Sequence, residues 1–249
     1  MLKISIITVC YNSAAFIRDT LESVTTQTYK DIEYIVIDGA STDATFDIVS
    51  EYRDKITHMI SEPDHGLYDA INKGIKLASG DFIGILNSDD LFYDNLCIAK
   101  LAEFIELNQD ADAVYSDLIY VKRNDISKKV RSYRVRRNSL WKVRFGFMIP
   151  HPTFYAKREL FEKFGLYKTN YRVSADFELM LRFMLNKIKI LRLHVIMVKM
   201  REGGISNTGF RWILHQNMEI IKACKENDFY TNLLFLSMKI PFKIASRFL

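Results

Sequence analysis

The chain has 249 residues, of which 49% are hydrophobic and 26% charged, and it carries a net charge of +5. This length and composition predict a globular protein with a large core, and they exclude a disordered chain. Its three cysteines are scattered without a Cys-x-x-Cys pair, which argues against a disulfide framework or a zinc site and fits a reducing cytoplasm. No stretch approaches the ~20 apolar residues that cross a bilayer, and residues 1–10 lack a signal-peptide cleavage site.

The positive charge is concentrated in one segment. Residues 122–144 contain ten Lys or Arg and a single acid, Asp125, so the rest of the chain is mildly acidic. A local basic surface favours a polyanionic partner over general nucleic-acid binding. The alternative is an ordinary solvated hairpin, because Asn124 and Asp125 are typical turn residues.

Strands and helices alternate in the first part of the chain. Apolar runs predict strands at residues 4–9, 32–37, 56–60 and 82–86. Between them, apolar residues at helical spacing predict three helices. The first follows Asn12 or Ser13, either of which could be its N-cap. The second runs from Asp43 to Tyr52, and the third begins at Leu67. This alternation predicts a parallel sheet with right-handed crossovers. The motif Gly-x-Gly-x-x-Gly is absent, which disfavours a dinucleotide-binding enzyme.

The second part of the chain is more varied. A helix is predicted through Leu96 to Ile105, followed by a strand at 113–121 and a basic hairpin whose far arm covers 130–135. His151-Pro152 is expected to begin a strand. The remaining predicted elements are helices at 158–164 and 176–185, a strand at 188–199, a loop at 201–206 and two terminal helices.

Acidic and amide side chains follow the predicted strands at their carboxyl ends. They are Asn12, Asp38, Glu62, Asp64 and the run Asn87 to Asp90. In open α/β sheets this edge binds ligands. Asp89 and Asp90 suit Mg²⁺ or Mn²⁺, which prefer carboxylate oxygen. The alternative is a solvated turn in which Asp90 caps the next helix.

Five motifs in this order resemble those of the family 2 glycosyltransferases of GT-A fold, over roughly residues 3–206. They are Thr8-x-x-Tyr11-Asn12, Ile37-Asp38-Gly39-Ala40-Ser41-x-Asp43, Asn72-Lys73-Gly74 with Gly80-Asp81, Asn87-Ser88-Asp89-Asp90, and Ser174-Ala175-Asp176 with Leu181-Arg182. The resemblance implies an α/β fold with a Rossmann-like, mainly parallel central sheet and helices on both faces. It implies a domain at 1–206, with a nucleotide-sugar half (1–93) and an acceptor half (94–206), and a C-terminal helical extension at 207–249.

The resemblance also implies roles for single residues. Asp38 would accept a hydrogen bond from uracil, since an ionised carboxylate offers only acceptors to a ring N–H. Asp89 and Asp90 would contact the ribose and bind Mn²⁺ or Mg²⁺, and Asp176 would be the general base. The other implied donor-binding residues are Thr8, Tyr11, Asn12, Ser41, Asn72, Lys73, Asn87 and Ser88. Candidates for diphosphate or metal contacts are His151 and Arg201. The alternative for His151 is a structural role. The alternative for Asp176 is a cap of the helix that it begins.

Two positions depart from the family pattern. Asn87 stands where many relatives have an acid, which leaves open whether Asp89 or Asp90 holds the metal. Gly39-Ala40 stands where many have Asp-Gly, so one acidic contact is lost and the selectivity for base and ribose is open.

The C-terminal residues from Leu233 predict a basic amphipathic helix that Pro241 kinks or ends. Lys239, Lys243 and Arg247 lie on one face of it and Leu236, Ile240, Ile244 and Phe248 on the other. Such a helix suits an anionic membrane surface; the alternative is packing on the protein.

The expected function is metal-dependent, inverting transfer of a sugar from a nucleotide-diphosphate donor, UDP-linked, to a hydroxyl of a lipid-linked or polysaccharide acceptor. The expected setting is surface-glycan synthesis, such as O-antigen or capsule, at the cytoplasmic face of the membrane. The alternative is a non-catalytic nucleotide- or glycan-binding module on the same fold. A nucleotidyltransferase is disfavoured because no Gly-rich, basic triphosphate loop follows the first strand. Nothing in the sequence identifies the donor sugar, the linkage or the oligomeric state.

Overall fold

The computed structural model describes residues 2–136, 138–203 and 209–238, within which nine strands form one sheet. The strands are β1 (Ile4–Cys10), β2 (Ile32–Asp38), β3 (His58–Ser61), β4 (Phe82–Ile85), β5 (Leu91–Phe92), β6 (Ala113–Lys122), β7 (Asp125–Tyr133), β8 (Tyr155–Lys157) and β9 (Ile190–Arg201). The helices are α1 (Ile17–Thr25), α2 (Thr45–Ser50), α3 (Leu67–Leu77), α4 (Cys97–Leu107), α5 (Leu140–Val143), α6 (Arg158–Phe164), α7 (Ala175–Leu185), α8 (Gly209–Glu226) and α9 (Leu233–Ser237).

The first half of the sheet is parallel, as predicted. β3, β2, β1 and β4 lie side by side in that order and run in the same direction. The chain moves outward from β1 to β2 and β3 and then returns to the other side of β1 for β4. Ligands of open α/β sheets bind outside the carboxyl ends of the strands at such a reversal. Asp89 and Asp90, here called the acid pair, follow β4 and therefore lie beside this point.

The second half of the sheet mixes strand directions. β8 pairs antiparallel with both β4 and β6, β9 runs parallel to β6, and β6 and β7 form the predicted basic hairpin. A Cβ added to Gly84 in β4 would lie 2.1 Å from the ring of Tyr155 in β8. Tyr155 is itself buried, so a side chain at residue 84 would push the two strands apart. The bare backbone of Gly84 thus lets the two halves of the sheet join.

Helices cover both faces of the sheet. Residues of α1 and α4 share one hydrophobic core with one face of β1 and β2, whereas residues of α3, α6, α7 and α8 share a second core on the other face. This arrangement confirms the predicted α/β fold with helices on both sides.

Some local predictions were wrong. Asn12 and Ser13 do not cap α1, which begins at Ile17 without a side-chain cap. The Asn12 side chain instead accepts from the Thr42 amide and the Ser13 hydroxyl lies beside that of Ser88, so only the Ser13 carbonyl oxygen binds the start of α1. The second helix is shorter than predicted and is followed by a 3₁₀ turn at Arg53–Lys55. The segment His151–Thr153 is a 3₁₀ turn, and the strand begins only at Tyr155.

Other predictions fall on residues that are not described. The basic face of the C-terminal helix, Lys239, Lys243 and Arg247, lies outside the described residues, as does the end of the loop at 204–206. Among the helices of the described ranges, none is long and apolar enough to span a membrane.

At the amino ends of β1 and β2, opposite the acid pair, a buried carboxylate joins three segments. Glu33 is 2% exposed. Its oxygens accept hydrogen bonds from Ser5 Oγ (2.5 Å), Ser79 Oγ (2.6 Å) and the Ser79 amide (2.7 Å). Burial alone would raise the pKa of Glu33, but the bonds from Ser5, Ser79 and Lys3 outweigh it and lower the pKa to about 2.

Replacing this carboxylate should destabilise the fold. We expect Glu33→Gln to lower the free energy of unfolding at pH 7 by about 2 kcal/mol, because hydrogen bonds to a charged group contribute about 1.5–3 kcal/mol. Since the folded pKa of about 2 lies below the ordinary value of 4.5, the contribution is complete above about pH 5 and is lost as the pH falls toward 2. Urea unfolding at pH 7 and pH 3 measures both effects.

The control is Glu51→Gln, which removes an exposed ion pair with Arg18 and should change the stability little. Equal losses of unfolding free energy in Glu33→Gln and Glu51→Gln would contradict this role of Glu33. So would a wild type whose unfolding free energy decreases between pH 7 and pH 3 by no more than that of Glu33→Gln.

Candidate active site

The loops after β1 and β2 are tied together by a chain of hydrogen bonds. The Asp38 carboxylate accepts from Ser41 Oγ (2.5 Å), the Ser41 amide (3.0 Å) and Ser61 Oγ (2.6 Å). Ser41 Oγ accepts from the Asn12 amide (2.9 Å), and Asn12 Oδ1 accepts from the Thr42 amide (2.9 Å). Asp38 is 1% exposed. A nucleobase that bonds to it must therefore share or replace one of these internal partners.

Thr8 and Tyr11, two of the predicted donor-binding residues, lie in different environments. Thr8 is fully buried and accepts a hydrogen bond from the Tyr34 hydroxyl (3.1 Å), whereas Tyr11 is 61% exposed. A Cβ added to Gly39 would lie 2.4 Å from Asp64 Oδ2 and 3.5 Å from the Tyr11 ring. The Asp64 carboxylate therefore occupies the space beside Tyr11 that a side chain at residue 39 would fill. It can lie there because residue 39 is Gly.

The backbone of the acid-pair loop is held from two sides. Thr20 Oγ1 of α1 lies 3.0 Å from the Ser88 carbonyl oxygen and 2.7 Å from that of Asp90. The Arg201 guanidinium donates to the Asp89 carbonyl oxygen (2.7 Å). Ser88 Oγ also lies 2.9 Å from Ser13 Oγ, so the loops after β1 and β4 touch at the strand reversal.

The two carboxylates of the acid pair are only partly satisfied within the protein. Asp90 is 1% exposed, its Oδ2 accepts from Asn87 Nδ2 (3.3 Å), and its Oδ1 is buried without a hydrogen-bond partner among the described residues. Burial and the neighbouring Asp89 raise the pKa of Asp90 well above its ordinary range. Burial also raises the pKa of Asp89, although the Arg123 guanidinium opposes this effect.

Arg201 and Arg123 surround the acid pair. Arg201 is 4% exposed, and its guanidinium forms an ion pair with Asp19 besides its bond to Asp89. Its predicted contact with a diphosphate stays a prediction. Arg123, on the turn of the basic hairpin, brings Nη1 to 3.8 Å from Asp89 Oδ2 and stacks on the Phe16 ring at 4.3 Å.

The acid pair fits a divalent cation that shares its coordination with a ligand. An unpartnered buried carboxylate oxygen is costly unless a cation or donor reaches it, and Mg²⁺ commonly binds through one or two carboxylates plus substrate phosphates. No group of three or more His, Cys, Asp or Glu gathers elsewhere in the described ranges to hold a metal by itself. His151 in particular is not brought together with the acid pair in such a group.

Asp176 lies in the first turn of α7 and contacts α3. The Tyr68 hydroxyl lies 3.4 Å from Asp176 Oδ1 and donates to the Val173 carbonyl oxygen (2.6 Å). Asp176 does not cap α7, because the cap position is Ser174. Tyr68 is in the first turn of α3, where the loop after β3 ends, so Asp176 lies at the same edge of the sheet as the donor-side loops.

Asn72 and His151 meet at Tyr167. Asn72 is 6% exposed, and its side-chain amide both donates to the Tyr167 carbonyl (2.8 Å) and accepts from the Tyr167 amide (3.0 Å). The Tyr167 hydroxyl lies 2.8 Å from His151 Nε2, and Tyr68 stacks on the Tyr167 ring at 5.8 Å. Burial lowers the pKa of His151, against the opposite effect of Asp176. The structure therefore gives Asn72 an internal partner and associates His151 with the Asp176 side of the site.

Lys73 is likewise engaged. Its Nζ donates to the Pro63 carbonyl (2.8 Å) and pairs with Glu62 (2.7 Å), so it braces the loop after β3.

Sequence patterns missed Arg123, Tyr68 and Tyr167. Tyr68 is itself a buried core residue of the amphipathic helix α3, and Tyr167 follows the Gly165 turn, so neither spacing signals a site. Arg123 was counted among hairpin charges, and only the fold brings the turn of that hairpin to the acid pair.

A family description matches most of this chain. The model described as glycosyl transferase family 2 matches residues 5–188. A PGL/p-HBAD biosynthesis glycosyltransferase of Mycobacterium bovis is 33% identical over 212 residues, which cover 82% of this chain and 79% of that protein. An uncharacterized glycosyltransferase of Rickettsia typhi is 30% identical over 210 residues, covering 82% of this chain and 65% of that protein.

Solved structures share the fold at lower identity. The Staphylococcus aureus TarS fragment 1–349 in complex with UDP-GlcNAc superposes with a TM-score of 0.68 at 21% identity, covering 85% of this chain and 61% of that chain. The mannosyltransferase PcManGT of Pyrobaculum calidifontis, in complex with GDP-Man and Mn²⁺, gives a TM-score of 0.67 at 18% identity, covering 90% and 64%. This chain thus spans less than two thirds of either structure, and the likeness confirms the GT-A type of fold.

Proposed function

We infer the function of this chain from its family, because the chain belongs to glycosyl transferase family 2 and is a glycosyltransferase. We propose that its donor is a UDP-linked sugar bound with Mn²⁺ or Mg²⁺ at the loops after β1, β2 and β4. The observation that carries this proposal is the buried, unpartnered Oδ1 of Asp90 beside Asp89. The UDP-GlcNAc and Mn²⁺ complexes of proteins with this fold support the proposal.

The residues divide the work of binding the donor. Asp89 and Asp90 would hold the cation, which supplies positive charge to the diphosphate leaving group. Tyr11, exposed beside Asp64, offers a ring for the nucleobase to lie against. Asp38 keeps Ser41, and through it Asn12, in place around that base.

Removing the acid pair should abolish metal-dependent binding. We expect UDP to bind wild type in the presence of Mn²⁺, and the variant Asp89→Asn/Asp90→Asn to bind it at least about tenfold more weakly, since a charge-assisted contact is worth about 1.5–3 kcal/mol. Isothermal titration calorimetry with and without Mn²⁺ measures this, and the isosteric amides keep the buried volume filled.

The matched control is Asp81→Asn at the opposite end of β4, where the carboxylate accepts from the Lys3 amide (2.8 Å); its UDP binding should equal that of wild type. Wild type that binds neither UDP nor GDP nor TDP would favour a glycan-binding module without catalysis.

We propose further that transfer inverts the sugar configuration and that Asp176 is the general base. In a single in-line displacement, the acceptor oxygen attacks the anomeric carbon as the bond to the diphosphate breaks on the opposite side. The acceptor proton passes to the Asp176 carboxylate, so no covalent enzyme intermediate forms. The position of Asp176 on α7, away from the acid-pair loop but at the same sheet edge, supports this division.

The isosteric variant Asp176→Asn should bind the donor normally but transfer poorly. A positioned base contributes about 10²–10⁴-fold, so we expect at least about a 100-fold loss of turnover. Release of UDP is measured from a panel of UDP-glucose, UDP-galactose, UDP-N-acetylglucosamine and UDP-N-acetylgalactosamine, with octyl glycosides as acceptors.

UDP affinity is measured in parallel by calorimetry. Turnover near that of wild type would remove Asp176 as the base. A β-linked product from these α-linked donors, identified by NMR, is the expected stereochemical outcome, and an α-linked product would contradict inversion.

We propose that the acceptor is lipid-linked and that the enzyme meets it at a cytoplasmic membrane surface. Supporting this is an apolar patch in which the exposed side chains Trp141, Tyr230 and Leu234 lie around the half-buried rings of Phe145 and Phe235. Trp141 is 66% and Leu234 70% exposed, and the rings of Trp141 and Phe145 lie 4.6 Å apart. The basic segment 122–144 leads into this patch, and apolar anchors with nearby cations suit anionic lipid.

The patch should determine binding to vesicles. Trp141→Ser/Leu234→Ser should weaken binding to vesicles of phosphatidylglycerol and phosphatidylcholine at least about tenfold, because burying each side chain contributes about 1.5–3 kcal/mol. Vesicle sedimentation measures it, with Leu107→Ser, another exposed leucine (77%), as the control. Unchanged binding in the double variant, or equal binding to purely neutral vesicles, would contradict membrane docking here.

A further inference from the structure

A carboxylate from the C-terminal helix α8 binds the segment that leads into Asp176. Glu219 is 8% exposed. Its oxygens accept hydrogen bonds from three successive backbone amides, those of Arg172 (2.7 Å), Val173 (2.9 Å) and Ser174 (2.9 Å). Helix α7 begins directly after this segment, and Asp176 is its second residue.

These bonds order the backbone of the segment that leads up to α7. The cap residue Ser174 makes no side-chain capping bond, and its buried Oγ has no hydrogen-bond partner among the described residues. Glu219 holds the amide of the cap residue and the two amides before it, none of which can find a partner within the helix itself. A single carboxylate that accepts several backbone N–H bonds is a strong, charge-assisted tie.

The same segment is held from the opposite side by the donor half. The Tyr68 hydroxyl of α3 donates to the Val173 carbonyl (2.6 Å), while Glu219 of α8 takes the Val173 amide. The peptide groups around Val173 are therefore fixed at both N–H and C=O, which fixes the direction in which α7 starts. The direction of α7 in turn determines where the Asp176 carboxylate lies.

We propose that Glu219 is a positioning residue for Asp176, so that α8 belongs to the catalytic machinery as well as to the core. This inference rests on the proposed role of Asp176 as general base. Helix α8 lies beyond residues 5–188, which the family description matches, so the family does not assign this role.

The test compares Glu219→Ala with Glu219→Gln. Because a displacement of about 1 Å at a reacting group can cost about 10²-fold in rate, Glu219→Ala should lower kcat for the UDP-sugar panel about 10- to 100-fold and leave UDP affinity unchanged. Glu219→Gln keeps one acceptor oxygen but loses the charge, so it should recover part of that loss. A purely structural role would not produce this graded split between kcat and donor affinity.

The matched control is Glu226→Gln on the same helix. Glu226 accepts hydrogen bonds from Lys168 Nζ (2.9 Å) and the Tyr171 hydroxyl (2.9 Å), so it also ties α8 to the preceding segment but touches no amide at 172–174. Glu226→Gln should lower the melting temperature without lowering kcat at a temperature where both variants are folded. Equal losses of kcat in Glu226→Gln and Glu219→Ala would overturn the proposal.

Hydrogen–deuterium exchange provides a readout that needs no substrate. We expect the amides of residues 172–174 to exchange at least about tenfold faster in Glu219→Ala, since their acceptor is gone, and at the wild-type rate in Glu226→Gln. Unchanged protection in Glu219→Ala would overturn the proposal even if no sugar of the panel is transferred. Asp176→Asn could turn over normally while the amides of residues 172–174 exchange faster in Glu219→Ala. That combination would show that Asp176 is not the base, although Glu219 does hold the segment before it.

Discussion

The fold keeps the Asp90 carboxylate buried with one oxygen that has no hydrogen-bond partner among the described residues, and the arrangement of the acid-pair loop depends on this constraint. An unpartnered buried acceptor costs free energy unless a cation or donor reaches it, so the surroundings of Asp90 must prevent the loop from rearranging to satisfy it. The structure does this through the backbone: Thr20 and Arg201 bind the carbonyl oxygens of residues 88–90. The side chains of Asp89 and Asp90 are thereby left for a ligand while the peptide groups that carry them are fixed.

The same principle applies on the acceptor side. Glu219 and Tyr68 bind peptide groups before Asp176, and Asn72 binds both backbone groups of Tyr167, which contacts His151. In each case a side chain from a distant segment holds the backbone next to a residue for which we propose or predict a role in the site. Such preorganisation favours rapid transfer, since reacting groups that are already oriented need little reorganisation.

The sequence predicted the first half of the fold well because its signals are local. Continuous apolar runs predicted β1, β2 and β4, and the acidic or amide side chains after each run predicted which edge of the sheet binds ligands. It predicted less where a residue has two possible uses. Asn72 and Lys73 look like ligand contacts by motif, yet Asn72 binds the Tyr167 backbone and Lys73 binds Glu62 and Pro63. Periodicity also could not find the start of α1, because the side chains of Asn12 and Ser13 bond to Thr42 and Ser88 in other loops instead of capping the helix.

The acceptor side was least accessible to sequence analysis because its contacts are separated along the chain. Glu219 binds an amide 45 residues earlier, and Tyr68 lies 108 residues before Asp176; neither is part of a short motif. The loops after β1, β2 and β4 meet because parallel strands bring their carboxyl ends to one edge of the sheet. Which of these loops are neighbours therefore follows from the sheet topology alone. The Asp176 segment, by contrast, is clamped between α3 and α8, and its position depends on how both helices pack. A change in the packing of α8 therefore reaches Asp176, the base that we propose, directly, whereas the backbone of the acid pair is held by Thr20 of α1 and Arg201 of β9.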